Sequence, residues 1–236
     1  MKLLFIGDIV GRGGVDLTCR AVPWLRDELG LDLVVANAEN AAGGLGVTSS
    51  IAKELLASGV DGITLGNHCW SKWEIVSWMK NSSRICRPAN GMADWPGSGH
   101  MLLPVGSQVI GVVNLQGQTF MSSPVSPFAM IKDYLARLRL EGADELIVDF
   151  HAEATAEKCA MGWFLDGEAS LVCGTHTHVQ TNDARILPGG TAYITDVGMT
   201  GPLNSVIGME VASSLRRFAS HLPARYELAA GPIVLN

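Results

Sequence analysis

Side chains that can bind metal recur in this sequence at one kind of place, directly after a short apolar run. The five groups are Gly7-Asp8, Asn37-Ala38-Glu39-Asn40, Gly66-Asn67-His68, Asp149-Phe150-His151 and Gly174-Thr175-His176-Thr177-His178. They offer carboxylate, amide and imidazole donors and no thiolate. That mixture suits manganese, iron or zinc ions and disfavours copper–thiolate and iron–sulfur chemistry. The pattern therefore predicts a site for transition-metal ions.

Taken singly, three of the groups also have an ordinary structural explanation. Asp8 follows a predicted strand and can simply cap the helix after it. Asn67 and His68 can form a turn with a solvated histidine. Glu39 and Asn40, followed by small residues, can lie in a surface loop. These alternatives stay open while each motif is considered alone.

The pair His176 and His178 is harder to explain without a ligand. Alternate residues of a strand face the same side, and two adjacent imidazoles need a shared cation or a polar network. Together the groups offer at least three carboxylate or amide side chains and at least three histidines, more than one tetrahedral ion needs. Two ions that share a bridging carboxylate use all of them. Such ions lie roughly 3.5–4 Å apart and promote in-line phosphoryl displacement.

The elements that must position these groups alternate between β-branched apolar runs and helical patterns, which is typical of a layered α/β fold. Strands are predicted at Leu3–Ile6, Leu33–Ala36, Gly62–Leu65, Val109–Leu115, Leu146–Phe150, Leu171–Cys173 and Ala192–Thr195, with one or two more in Tyr226–Leu235 around Gly231-Pro232. In open α/β sheets the carboxyl ends of the strands share one rim, where ligands bind. Residues far apart in sequence can therefore meet there.

Helical spacing recurs between these strands. The predicted helices and their N-cap candidates are Ile51–Ala57 after Thr48 or Ser49, and Phe128–Leu140 after Ser126. Pro23 is expected to kink or divide the helix that follows the first strand. Without repeats, low-complexity tracts or charged linkers, residues 1–236 are expected to form a single domain.

Composition limits the class of protein. With 47% hydrophobic and 17% charged residues, the chain can bury a large core without disulfides. A net charge of -6 argues against stable nucleic-acid or membrane-surface binding. Five cysteines without a C-x-x-C pair, and the lack of a signal-peptide core or spanning run, lead us to expect a cytoplasmic protein. A homo-oligomer is compatible with the sequence only in the general sense that symmetric oligomers are common among proteins.

The strings GDIVG, NAEN, GNH, DFHAEAT and GTHTH resemble those of the calcineurin-like metallophosphoesterases, in the branch of bacterial YmdB-like proteins. The similarity runs from Met1 through about Gly208 and includes TAYITDVGMTGP, from Thr191 to Pro202. It implies an α/β fold in which two mixed β-sheets form a layered sandwich flanked by helices.

The resemblance also implies a role for each residue. The first ion would be held by Asp8, Glu39, Asn40 and His178; the second would be held by Glu39, Asn67, His151 and His176. Glu39 would bridge the ions, and His68 would stand beside the substrate without binding metal. Iron or manganese is expected, and zinc is compatible.

Two departures from the wider superfamily are shared with the YmdB-like branch. Ile9-Val10 follows Asp8 where D-x-H is usual, and Glu39 stands where an aspartate is usual. Cys69 replaces a commoner threonine, and its role is left open. Trp70 lies two residues from His68. It is therefore the tryptophan best placed to stack on a substrate base, although most tryptophans belong to the core.

The function implied by the resemblance is hydrolysis of small phosphodiesters, above all 2′,3′-cyclic nucleotides and also 3′,5′-cyclic ones. A hydroxide bridging the two ions would attack phosphorus, and His68 would protonate the leaving sugar oxygen. Two alternatives remain open from the residues themselves. One is a phosphomonoesterase with the same metals; the other is a regulatory protein that binds metal or nucleotide without turnover.

Overall fold

The computed structural model describes residues 1–223 and 225–236. Its strands are β1 (Leu3–Ile6), β2 (Asp8–Ile9), β3 (Leu33–Asn37), β4 (Gly62–Thr64), β5 (Ile85–Cys86), β6 (His100–Val105), β7 (Gln108–Gln116), β8 (Glu145–His151), β9 (Leu171–Thr175), β10 (Arg185–Ile186), β11 (Ala192–Ile194), β12 (Met199–Pro202) and β13 (Ile233–Val234). Its helices are α1 (Gly11–Leu29), α2 (Ser49–Ala57), α3 (Ile75–Met79), α4 (Pro127–Leu140), α5 (Thr155–Phe164) and α6 (Val211–Ser220).

Two larger sheets organise these strands. The first has the order β1-β3-β4-β5 and is parallel throughout. The second has the order β10-β11-β9-β8-β7-β6, with β10 and β6 antiparallel to their neighbours. A small sheet, β13-β12-β2, continues from the end of β1. The predicted class, layered α/β with two sheets flanked by helices, is confirmed.

The two sheets pack face to face because their strands are apolar on both sides. In β3, Val34 and Ala36 belong to a core shared with α1 and α2. Leu33 and Val35 instead pack against the second sheet, where they meet Ile110. Alternate residues of a strand face opposite sides, so a strand buried on both faces has a continuous apolar run. On the outer face of the second sheet, α4 and α5 complete the core.

The layers are therefore helix, sheet, sheet and helix. Among the described residues, no helix combines the length and the apolarity needed to cross a bilayer.

Two helices begin at the N-cap residues predicted from the sequence, but only one of these residues caps its helix through the side chain. The hydroxyl of Thr48 accepts from the backbone N–H of Ile51 at 3.3 Å, so Thr48 caps α2 as predicted. Ser126 occupies the N-cap position of α4 as predicted, but its side chain makes no capping hydrogen bond. Pro23 lies inside α1, which is continuous, so of the two predicted outcomes, a kink or a division, the division does not occur. Pro23 is exposed, so water can solvate the carbonyl that it leaves unpaired.

Candidate metal centre

All five predicted groups lie at the carboxyl ends of strands along one edge of the molecule. Asp8 follows β1, and Glu39 follows β3. The turn after β4 carries Asn67, His151 ends β8, and His176 directly follows β9. Three of these strands belong to the first sheet and two to the second. The edge where the two sheets meet therefore collects candidate ligands from both.

Burial and helix position exclude two structural explanations that the sequence left open, a surface loop at Glu39 and Asn40 and a helix cap at Asp8. Glu39 and Asn40 are only 1% and 5% exposed, so they do not form a surface loop. Asp8 is fully buried and lies in β2. The N-cap position of α1 belongs to Val10, so Asp8 does not cap that helix.

The densest cluster surrounds Nε2 of His151. Glu39 Oε1 and Asn67 Oδ1 each lie 2.9 Å from this nitrogen, and Nδ1 of His176 lies 3.0 Å from it. One ring nitrogen can serve one of these neighbours as a hydrogen-bond partner, not all three. Carboxylate oxygen, amide oxygen and imidazole nitrogen are donors that suit a transition-metal ion. The crowding therefore fits a cation at this point.

Gly66 makes room for this cluster. A side chain at position 66 would collide with the ring of His151 and with the carboxylate of Glu39. Glycine allows the backbone to approach a ligand set this closely. The GNH motif therefore has a glycine at position 66 because no larger side chain fits beside the cluster.

A second set of donors surrounds Asp8. Its Oδ1 atom is buried and has no hydrogen-bond partner among the described residues. Nε2 of His178 lies 3.9 Å from that oxygen, and the amide of Asn40 lies 3.2 Å from the same nitrogen. An ion with ligand distances of about 2.0–2.2 Å can bridge a gap of this size. An unpaired buried carboxylate oxygen is costly, and a cation would satisfy it.

The two histidines of the H-x-H motif serve different sets. His176 and His178 follow the end of β9 and have φ angles of 96° and 65°. The expectation that they alternate along a strand was therefore wrong, because the chain leaves the strand at Thr175. Left-handed backbone conformations are uncommon for residues other than glycine and are held by their surroundings. Here they turn His176 towards His151 and His178 towards Asp8.

The second ring nitrogen of each histidine is also occupied. Nδ1 of His151 lies 2.9 Å from Thr175 Oγ1. Nδ1 of His178 lies 2.9 Å from the carbonyl oxygen of Ile207, and Nε2 of His176 lies 3.1 Å from Glu153 Oε2. Partners of this kind fix the ring orientation and leave the other nitrogen free to bind metal. The three rings are therefore held in the orientation that a ligand needs.

Behind Thr175 lies Asp149, the aspartate of the DFH motif. The hydroxyl of Thr175 donates to its carboxylate at 2.6 Å, and the amides of Asn37 and Asn114 lie within 3.1 and 3.2 Å. Burial raises the pKa of Asp149 to about 6. Sequence reasoning gave these residues no role, although a charged residue inside an apolar strand is a usable signal.

A buried ion pair holds the H-x-H segment from the other side. Lys158, 1% exposed, donates to Asp196 at 2.6 Å. The same carboxylate accepts from the hydroxyl and the backbone N–H of Thr177, at 2.6 and 3.3 Å. Thr177 separates the two histidines, so the pair fixes the backbone that presents them. The sequence motif TDVGMTGP contained Asp196, but nothing in it indicated Lys158 as its partner.

The cluster is electrostatically coupled. Burial alone would raise the pKa of Glu39, but the charge and hydrogen bond of His151 hold it at about 2. Burial would lower the pKa of His151, whereas Glu39 raises it to about 9. Burial and the nearby charge of His151 lower the pKa of His176 to about 3. Burial also raises the pKa of Asp8.

His68 stands beside the cluster in a different way. It lies in the turn after β4, as the sequence allowed, and it is half-buried. Its backbone N–H donates to Glu39 Oε2 at 3.0 Å, and its ring Nε2 lies 3.3 Å from the amide nitrogen of Asn67. The ring borders a cavity that is also lined by His176 and His178. It is thus placed at the opening of the site.

Comparison with known proteins gives consistent matches. The model of the family described as "YmdB-like protein" matches residues 4–236. A 2′,3′-cyclic-nucleotide 2′-phosphodiesterase of Bacillus subtilis is 44% identical over all of this chain and 89% of its own length. A crystal structure of a hypothetical protein from Thermus thermophilus has 42% identity and a TM-score of 0.92, covering 99% of this chain and 90% of that one. The structure of a phosphatase from Mycoplasma pneumoniae has 35% identity and a TM-score of 0.93, covering 100% and 85%.

Proposed function

The chain belongs to the YmdB-like protein family and is a hydrolase of phosphate esters, and we propose that it cleaves small phosphodiesters with two bound metal ions. The preferred substrates are 2′,3′-cyclic nucleotides, the class named for the Bacillus subtilis relative, with 3′,5′-cyclic nucleotides as a further class. The observation that carries the proposal is the convergence of Glu39, Asn67 and His176 on Nε2 of His151.

Each ion has its own ligands in this proposal, and Glu39 is shared. The first set is Asp8, Glu39, Asn40 and His178; the second set is Glu39, Asn67, His151 and His176. Support comes from the buried unpaired oxygen of Asp8 for the first set and from the crowding at His151 for the second. Oxygen and imidazole donors without sulfur favour iron or manganese and also accept zinc.

When bound, the ions supply an activated water molecule and positive charge for the phosphate oxygens. The protein's own contribution is to hold the ligands in place. Without metal, Glu39 remains ionised over the whole physiological range because the charge and hydrogen bond of His151 hold its pKa at about 2. The hydrogen-bond partners of the three imidazoles prevent the rings from rotating.

His68 is proposed to hold the proton that the leaving sugar oxygen takes up. Its ring is half-buried at the mouth of the site, and its backbone N–H is tied to Glu39. The carboxylate therefore fixes the turn on which the ring is carried. An alkoxide is a poor leaving group, and an acid at this position contributes roughly 10²–10⁴ in rate.

Apart from the proposed ions, the charged side chains around the site favour a diester over a monoester. Among the described residues, neither cavity beside the metal centre is lined by lysine or arginine, and Glu153 adds a carboxylate to the wall. A monoester dianion carries one more negative charge into this environment than a diester monoanion. The phosphomonoesterase alternative therefore has less electrostatic support.

Turnover by metal-loaded protein tests the proposal. Purified protein reconstituted anaerobically with iron or manganese should hydrolyse adenosine 2′,3′-cyclic phosphate and bis-p-nitrophenyl phosphate faster than adenosine 3′-monophosphate and p-nitrophenyl phosphate. Faster cleavage of the monoesters would identify a phosphomonoesterase. Full metal content without turnover of any of the four would identify a regulatory protein.

A further inference from the structure

A cavity of about 330 Å³ adjoins the metal centre on the side of Asn67 and His176. Besides these two residues, three aromatic side chains line it: Trp70, Trp95 and Phe120. None of the three has a role in the proposed chemistry. The cavity shares Asn67 and His176 with the metal centre. One substrate molecule can therefore place its phosphate at the ions and another of its groups in this cavity.

The tryptophan wall is held rigidly. The rings of Trp70 and Trp95 meet edge to face, with centroids 5.7 Å apart and planes at 89°. Arg87 is only 6% exposed, and its guanidinium donates to the carbonyl oxygens of Trp95 and Pro96 at 3.0 Å and of Pro88 at 2.8 Å. A buried cation that satisfies three backbone carbonyls fixes the loop that carries Trp95.

The cavity wall also carries an aromatic ring that the described residues leave almost uncovered. Phe120 is 90% exposed and has a φ of 61°, a conformation unfavourable for a bulky residue. The carboxylate of Glu157 accepts from the backbone N–H groups of Gln118 and Thr119 at 2.9 and 3.2 Å and so holds the turn before it. A strained, solvent-exposed phenylalanine at a site of chemistry is a candidate ligand contact.

We propose that this cavity is the base subsite, in which the nucleobase of the substrate stacks on Phe120 and on the tryptophan wall of Trp70 and Trp95; this inference rests on the proposed function. Aromatic side chains stack on any base because every base has a π face. The subsite therefore accepts purines and pyrimidines alike. Gln116 adds a polar side chain to the wall of the subsite. Its amide nitrogen donates a hydrogen bond to the carbonyl oxygen of Ser122 at 2.9 Å, which fixes its position.

The other cavity at the metal centre is a poorer place for a base. Its walls include the aliphatic side chains of Leu45 and Ile207 and the carboxylate of Glu153, and no tryptophan, tyrosine or phenylalanine of the described chain lines it. The rings that line it are the imidazoles of His68, His176 and His178, which the proposed metal chemistry already uses. The aromatic cavity is therefore the one that distinguishes a nucleotide from a simple phosphodiester.

The test compares a nucleoside 2′,3′-cyclic phosphate with ribose 2′,3′-cyclic phosphate, which lacks the base. Metal-loaded wild type should favour the nucleoside substrates by about tenfold or more in kcat/KM, with similar values for all four bases. Phe120→Ala should remove most of that preference, chiefly through KM, and Phe120→Tyr should retain it. Phe218→Ala is the matched control, because Phe218 is exposed on α6 and lines neither cavity of the metal centre.

Binding gives a second readout that does not depend on turnover. Calorimetric titration with adenosine 3′-monophosphate should show affinity lowered about tenfold in Phe120→Ala and unchanged in Phe218→Ala. Equal kcat/KM of the wild type for substrates with and without the base would overturn the base subsite and leave the phosphodiesterase intact. An unchanged preference in Phe120→Ala would overturn it equally. Failure of the wild type on both substrates would instead refute the proposed function.

Discussion

Nε2 of His151 lies 2.9 Å from Oε1 of Glu39, and both side chains are buried at the edge where the two sheets meet. In the absence of metal this contact is an ion pair, since the pKa of His151 is raised to about 9 and that of Glu39 is held at about 2. A metal ion at the same place requires the neutral imidazole. In the proposed centre, the two residues would therefore couple metal binding to the loss of a proton.

Metal binding should release about one proton per chain at pH 7 from His151. Because the proton is bound below about pH 9, metal affinity should rise about tenfold for each pH unit up to that value and then level off. His176 adds no proton above pH 5, since its pKa is lowered to about 3. Calorimetric titration in two buffers of different ionisation enthalpy measures the number of protons released. Release of no proton at pH 7 would contradict the assignment of His151 as a metal ligand.

The number of ions is tested by removing ligands. Reconstituted protein should contain close to two transition-metal ions per chain, and Glu39→Ala should lower occupancy at both sites because Glu39 is proposed to contribute to each. His178→Ala should lose mainly one ion. Elemental analysis after anaerobic reconstitution measures these contents. A single ion in the wild type would exclude the binuclear arrangement.

Thr175 is expected to matter for metal binding although it is not a ligand. Thr175→Val removes the hydroxyl that orients His151 and donates to Asp149. Metal affinity should fall roughly 10–100-fold, as is usual when a partner of a ligating histidine is lost. Thr175→Ser restores the hydroxyl and should restore the affinity. Equal affinities in the valine variant and the wild type would show that His151 is oriented by other contacts.

The buried pair of Lys158 and Asp196 should be important for stability as well as for the site. Lys158→Met leaves the carboxylate of Asp196 without its cation and should lower the free energy of unfolding by about 3–5 kcal/mol. Lys53→Met, at an exposed position of α2, should change it by less than about 0.5 kcal/mol. Chemical denaturation of the metal-free proteins measures both. Similar losses in the two variants would show that the pair contributes nothing specific.

Local patterns explain how much of the fold could be predicted. The runs that became β1, β3 and β8 are apolar and β-branched, so their positions were evident. Strand β6 was missed because His100 and Pro104 interrupt its pattern. It lies at the edge of its sheet, where the missing N–H of a proline breaks no hydrogen bond between strands.

In the site, too, residues with a local sequence signal could be predicted, and contacts made through tertiary packing could not. Side chains such as His151 and Asn67 could be selected because they follow strands whose ends share one rim. The contacts that orient them could not be predicted, since Lys158 and Asp196 are 38 residues apart and meet only through tertiary packing. The turn at Phe120 is a further example, because its conformation depends on a carboxylate from α5.

In the proposed mechanism, Asn67 binds metal, whereas its neighbour His68 only protonates the leaving group. The most direct test is kcat/KM of His68→Ala and Asn67→Ala for adenosine 2′,3′-cyclic phosphate and for bis-p-nitrophenyl phosphate, with metal analysis of each variant. His68→Ala should keep its metal and lose roughly 10²–10⁴ in rate on the cyclic nucleotide but far less on the nitrophenyl diester, because nitrophenolate leaves without a proton. Asn67→Ala should lose metal and slow both substrates alike. Loss of metal from His68→Ala, together with equal slowing of both esters, would make His68 a ligand and contradict the mechanism.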